Sequence, residues 1–348
     1  MQKAIMMMAL DIELPLRVIM VGQTFAESRT VQRITAMESL GISVICVPTV
    51  PEGINYETSP SINERIRYRL RLPKDPTKAN EQILREIENG ADILWLDSAD
   101  MINSSTLRKA KAINNNLILI WYSEDDMMNP RLRTRQTEGG FQIFDLWVTT
   151  KSFNAKPEEL PALGVKNILF VNNSCDPTLH RLVPVTDEDK NQFGSPVSFI
   201  GSFEKPRAQS LLYLAEMGQN VRVWGNGWAD WVNRHPNLKV ENRPIYNEEF
   251  TKVVVTSPIN LCFLRKANRD LQTCRSIEIP SCSGFMVHER NCEITAIYRE
   301  EKEAIYFSSD QELFKVCSLW LGREKQRRLI GKAALQRTIE LEMTHKDN

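Results

Sequence analysis

Two acids stand eight residues apart in RDLQTCRSIEIPSCSG, residues 269–284: Asp270 and Glu278. Between them lie Thr273 and Arg275, and the preceding FLRKANRD adds Arg265, Lys266 and Arg269. Cations beside a helix start suit an anion such as a diphosphate, because the first turn leaves N–H groups unpaired and the peptide dipoles are positive there. A solvated charged face has the same composition. The adjoining IPSCSGFMV is small and apolar and has to be buried, which argues for a charged edge against packed backbone. A second candidate is FIGSFEKPR, residues 199–207. Gly201 and Ser202 turn the chain after a strand, glycine admits a close backbone approach, and Arg207 offers a fork to phosphate oxygens. A tight turn with a solvated arginine would read the same way.

The first half carries WYSEDDMMNP, where Glu124, Asp125 and Asp126 are adjacent. Mutual repulsion of three carboxylates can lift one into the range of a general base; a solvated acidic turn is the plain alternative. Gly22, in VGQTFAES, is a single glycine and does not make the spaced-glycine pattern of a dinucleotide-binding dehydrogenase. His180, in CDPTLHR, is either a cleft residue or a structural hydrogen-bonder. Cysteines stand at 46, 175, 262, 274, 282, 292 and 317. Their odd number and the lack of a CxxC pair point to reduced, mostly buried thiols. Cys274, Cys282, Cys292 and His288 are spaced more loosely than zinc ligands usually are, so no metal is expected.

The elements that must position these residues alternate. Continuous apolar runs at 17–22, 42–48, 91–97, 116–122, 144–150 and 166–172 read as buried parallel strands, with helical periods at 28–41, 79–90, 104–113 and 157–164. Residues 181–196 are polar, carry Pro184, Gly194 and Pro196, and read as a linker. The rhythm then restarts, with strands at 197–202, 220–225, 259–265, 284–288 and 303–309, helices at 206–218 and 247–257, and a helical tail from Gln311. The expected fold class is α/β: two doubly wound Rossmann-like domains, 1–185 and 197–348, joined by a linker at 186–196 and facing a cleft. In such sheets ligands sit beyond the carboxyl ends of the strands.

Length and charge bound the rest. A chain of 348 residues favours two domains. Forty-four basic and 44 acidic residues leave no net basic face for nucleic acid. The apolar run near the N-terminus is too short for a bilayer, is followed by Asp11 and Glu13, and shows no clear cleavage site. A cytoplasmic protein without an integral membrane segment is expected.

The two-lobed pattern resembles the GT-B glycosyltransferases. RSIEIPSCSGFMVHE resembles the group 1 glycosyltransferases, in particular the spore-maturation-protein branch, and WYSEDDMMNPRLR, FDLWVTTKSFN, LGVKNILFVNNSCDPTLH, VSFIGSFEKPR and the tail from Ser308 to Arg337 fit as well. The resemblance runs from about residue 65 onward. It implies transfer of a sugar, as by a hexosyltransferase, from a nucleotide-diphosphate donor to an acceptor of unknown kind, with no metal or other cofactor. It places the paired acids of the family on Asp270 and Glu278, the first shortened from Glu. Glu278 would accept from the ribose hydroxyls and Asp270 would lie near the sugar. Arg207, Arg275 and Arg265 or Lys266, with Gly201, Ser202 and Thr273, would hold the diphosphate, and Tyr246 would pack on the base. Gly22, Glu124, Asp125, Asp126 and His180 would lie on the acceptor side, with Asp125 or Asp126 as base in an inverting reaction. Relatives carry more of a final helix that returns to the first domain. The Asp at 270 and Ala334, where relatives often have Gly, keep open a silent nucleotide- or sugar-binding protein; a sugar-nucleotide epimerase-like enzyme is the other alternative.

Overall fold

The computed structural model describes residues 15–348. Residues 1–14, with most of the N-terminal apolar run, lie outside them. The chain divides between Val171 and Asn172 into two compact units.

The first unit is built on six parallel strands: β1 (Arg17–Gly22), β2 (Ser43–Pro48), β3 (Ile93–Asp97), β4 (Ile118–Ser123), β5 (Leu146–Thr149) and β6 (Ile168–Phe170). Their order is β2-β1-β3-β4-β5-β6, so the winding reverses between β1 and β3. The helices form where the period demands. In Ala79–Glu88, Ala79, Ile83 and Ile87 repeat every four residues and are the buried ones. Ser28 caps Arg29–Glu38 by accepting from the Val31 N–H. Ile19, Leu94, Leu119 and Trp147 are fully buried at the centre, each such side chain contributing about 1.5–3 kcal/mol.

The second unit repeats the plan with β7 (Val197–Ile200), β8 (Val221–Trp224), β9 (Leu238–Val240), β10 (Ile259–Cys262), β11 (Met286–Glu289) and β12 (Ile305–Phe307). All pairings are again parallel. The order β12-β11-β10-β7-β8-β9 reverses between β7 and β10. Register there is held by a buried polar pair, Ser198 Oγ donating to Asn260 Oδ1 at 2.8 Å.

The expected linker is corrected. Residues 187–193 are a helix, Asp187–Phe193, started by a capping box in which Thr186 and Asp189 bond each other's backbone N–H. Its one large apolar residue, Phe193, is buried beside Trp224. The division falls earlier because residues 172–175 are tied into the second unit: Asn173 N–H donates to Gln272 and Cys175 bridges to Thr344. The helical tail is two helices, Asp310–Leu321 and Glu324–Glu340, parted at Gly322. Ile62–Arg69, Arg135–Gly140, Cys292–Ile297 and β9 were not anticipated; each is short, and short elements carry too few periods to stand out. Among the described residues no helix is long and apolar enough to cross a membrane.

Candidate functional site

In the second unit the loops after β7 and β10 lie at the reversal of the sheet, where open α/β sheets leave a crevice. Gly201 and Gly225 bring backbones together there. Gly225 has φ +150°, and an added Cβ would sit 2.0 Å from the Gly201 carbonyl oxygen; one on Gly201 would meet the Phe199 ring at 2.7 Å. Gly201 is therefore a packing requirement, its carbonyl accepting from Trp228 Nε1 at 2.9 Å.

Arg207 starts the following helix and is buried. Its Nη2 donates to Glu204 at 3.1 Å and its Nη1 to the Ser202 carbonyl at 3.4 Å, while Nε is buried without a hydrogen-bond partner. The same Glu204 oxygen accepts from the Lys266 backbone at 3.3 Å, which links the two loops. The exposed Lys266 ammonium pairs with Glu289. Glu204 and Glu289 thus hold two of the expected cations, and neither was expected from the sequence; they sit in no motif.

Asp270 is buried, and both its oxygens serve the loop. Oδ2 accepts from the Arg265 N–H at 3.3 Å and Oδ1 from Asn268 Nδ2 at 2.7 Å. These bonds close a turn in which Arg269 takes the left-handed φ of 45°. The shorter side chain suits this task, since the bonds reach a backbone N–H and a side-chain amide only a few residues back.

The next helix, Arg275–Ser281, is pinned from below. Ser276 Oγ accepts from the Thr273 N–H at 3.0 Å and lies 2.8 Å from Nε2 of the fully buried His288. His288 Nδ1 faces the Glu289 carbonyl at 2.7 Å and so donates, leaving Nε2 to accept from Ser276 in the neutral ring. Burial disfavours charge on His288 and on the neighbouring Cys262, but their pairing outweighs it, shifting the imidazole up and the thiol down. His288 is a positioning residue for this helix, and no group of three or more His, Cys, Asp or Glu among the described residues could hold a metal.

Glu278, on that helix, is 2% exposed. It is ion-paired with Arg275, and its other oxygen lies 3.7 Å from His180 Nε2. The Asp176 N–H donates to His180 Nδ1 at 3.3 Å, so the ring proton sits on Nε2, toward Glu278. Phe250 supports both partners: the Arg275 guanidinium lies 4.6 Å from its ring centroid and His180 meets it edge-on at 5.4 Å. His180, expected on the acceptor side, belongs instead to the second unit, because residues 172–185 fold into it and the Leu179 carbonyl accepts from Thr251. Tyr246 is part-buried at the start of Asn247–Thr256. Arg265 precedes a short 3-10 turn, Lys266–Asn268, and Thr273 lies 3.5 Å from Ser276 Oγ.

In the first unit the reversal lies between β1 and β3. Gly22 is a packing glycine: an added Cβ would fall 2.6 Å from Thr30 Oγ1. The three adjacent acidic residues of the sequence take different partners. Glu124 is taken by Arg33 and lies 3.4 Å from Arg29 Nε. Arg33, buried, also makes two bonds to Asp97, at 3.0 and 2.8 Å, over the Tyr122 ring. Asp126 is buried and accepts at one oxygen from the Met128 N–H and Asn154 Nδ2, both at 3.0 Å. That anchors the loop and leaves Asp126 poorly placed to act as a base. Asp125 stays part-buried between them, its N–H on Ser123 Oγ. One carboxyl that burial raises is Asp100, just past β3, lifted to about 6. Only the position of Asp100 beyond a strand at the reversal could have marked it in the sequence.

Residues 207–346 match a family model described as glycosyl transferase-like. No curated protein matches the chain. Solved structures with the same fold include a glycosyltransferase from Rickettsia africae, at 10% identity and TM-score 0.64 over 96% of each chain. A sucrose-phosphate synthase from Thermosynechococcus elongatus matches at 10% identity and TM-score 0.62, over 94% of this chain and 95% of that one. Anabaena HepE in complex with UDP and glucose matches at 10% identity and TM-score 0.62, over 95% and 96%. At these identities the likeness establishes the fold, GT-B with two Rossmann-like domains, and the family match lies within the second of them.

Proposed function

We propose that this chain is a glycosyltransferase of the hexosyl class that takes a sugar from a nucleoside-diphosphate donor without a metal ion. The observation that carries the reading is the gathering of Arg207, Lys266, Arg275 and Glu278 on loops and helix starts around the β7–β10 reversal, within the segment that matches the family. In the reaction the bond from the anomeric carbon to a diphosphate oxygen breaks, one to an acceptor oxygen forms, and the acceptor loses its proton. The leaving diphosphate gains negative charge, which fixed cations stabilise without reorganisation. Arg207 and Lys266, with Arg265, would supply that field. Glu278 would accept from the ribose hydroxyls, and Tyr246 would pack on the base. In the resting arrangement Arg275 neutralises Glu278; a diphosphate would draw the guanidinium toward itself, with His180 left to keep the carboxylate partnered. Where the acceptor proton needs a base, Asp100 joins Asp125 and Asp126 as a candidate, its carboxyl raised by burial to about 6. HepE, solved with UDP, makes UDP the first nucleotide to try.

One observation favours the silent alternative: Asp270 gives both oxygens to its own loop. A panel of UDP-, GDP-, ADP- and dTDP-hexoses, followed for release of the nucleoside diphosphate, separates the readings. Release from one donor supports transfer, binding without release under any acceptor supports the silent protein, and neither binding nor release overturns both.

A further inference from the structure

The charge balance of the whole chain conceals one strongly uneven segment. Residues 61–74, SINERIRYRLRLPK, hold five basic residues and one acid, Glu64. That acid is committed to a capping box with Ser61, which starts the helix Ile62–Arg69. This is the one α-helix among the described residues that buries no side chain. Ile62 is 76% exposed, and Ile66, Tyr68 and Leu70 are each more than half exposed. With Ile54 and Tyr56, these are six of the fifteen large apolar side chains that the described residues leave exposed, gathered in seventeen positions. Scattered exposed apolar residues need no explanation, but a cluster does.

The spacing gives the cluster a direction. Ile62, Ile66 and Leu70 repeat every four residues and form one row along the helix. Arg65 and Arg69, also four apart and exposed, form a parallel row beside it. The segment is fastened at its carboxyl end: Arg71 Nε donates to the Arg133 carbonyl at 3.0 Å, Arg71 pairs with Glu138, and the Arg71 carbonyl accepts from the Arg135 N–H. The apolar row therefore stands clear of the core while its base is fixed.

We propose that this face docks peripherally on an anionic lipid surface. A row of aliphatic side chains beside a row of arginines matches the boundary between acyl chains and acidic headgroups, with the arginine stems lying along the apolar layer and their guanidinium groups reaching the phosphates. A second copy is a poor occupant, because a self-complementary contact would bring the two arginine rows together. The helix is about 12 Å long, so it lies in the interface and spans nothing. The inference does not depend on the transfer reaction.

The test is co-sedimentation of the full chain with vesicles of phosphatidylcholine alone and of phosphatidylcholine with about a third phosphatidylglycerol. The wild type is expected to bind the anionic vesicles at least tenfold more tightly, and less so as salt rises. Two double variants, Ile62→Ser with Ile66→Ser and Arg65→Gln with Arg69→Gln, should each lose tenfold or more while keeping the wild-type melting temperature, since all four side chains are exposed. Equal binding to both vesicle types, or wild-type binding by both double variants, overturns the proposal. So does a concentration-dependent dimer that the same substitutions abolish, with no vesicle binding, which would assign the face to a second copy.

Discussion

Asp100→Asn tests the electrostatics of the first unit in isolation from any ligand. Burial raises the Asp100 carboxyl from 3.8 to about 6. The folded chain therefore holds this proton more tightly than the unfolded chain does. Below 3.8 the carboxyl is protonated in both states and contributes nothing. Between 3.8 and 6 the unfolded state releases the proton first, so stability falls as pH rises, and above 6 the full penalty is present. Each tenfold change in proton affinity corresponds to about 1.4 kcal/mol, which puts a ceiling near 3 kcal/mol on that penalty. Asp100 keeps some solvent contact, and screening lowers the expected value to about 1–2 kcal/mol. The asparagine removes the charge at nearly constant shape and leaves the bond from Thr134 to the Asp100 carbonyl oxygen intact. Urea unfolding at a series of pH values is the assay. The variant should be the more stable protein at pH 7.5 by about 1–2 kcal/mol, with the gap closing steadily below pH 6. A variant no more stable at pH 7.5, or a gap that ignores pH, would refute the reasoning.

Three further outcomes follow from the second unit. Gly225→Ala places a methyl against the Gly201 carbonyl at a φ that L-residues avoid, and should lower unfolding stability by about 3 kcal/mol or more; wild-type stability would contradict the reading of both glycines. Asp270→Glu should lower the melting temperature without raising turnover, because the longer arm disturbs both loop bonds; a gain in turnover at unchanged melting temperature would return this carboxylate to the sugar. His288→Gln should weaken nucleotide binding less than Glu278→Gln does, and lower the melting temperature more, since His288 acts through Ser276; the reverse order would remove its positioning role.

The fold was legible because both sheets are parallel and buried on two faces. Their strands are then near-continuous apolar runs, as in RVIMVG and INLC, and the helices between them keep a four-residue apolar repeat. The boundary between the units was misplaced because polar TDEDKNQF looks like a connector unless Thr186 and Asp189 are read as a cap. Position relative to strand ends singled out the loops of Arg207 and Lys266, which Glu204 links. What could not be read was direction. Asp126 and Glu124 are neighbours in sequence, yet one is bonded to Asn154 and the other to Arg33, and nothing in SEDD states this. His180 was assigned to the wrong unit for a similar reason, since its partner Glu278 lies 98 positions away. Glu204 and Glu289 were overlooked because acids that hold cations in place resemble any surface acid.

The central claim is that the loops at the β7–β10 reversal bind a nucleoside diphosphate. Calorimetric titration tests it most directly, with UDP, GDP, ADP and dTDP on the wild type, Arg207→Gln and Glu278→Gln. The account predicts saturable binding of at least one of them, weakened about 10- to 100-fold by either substitution, as expected for the loss of a hydrogen bond to a charged group. No binding of any nucleoside diphosphate at millimolar concentration, or wild-type affinity in both variants, would contradict it.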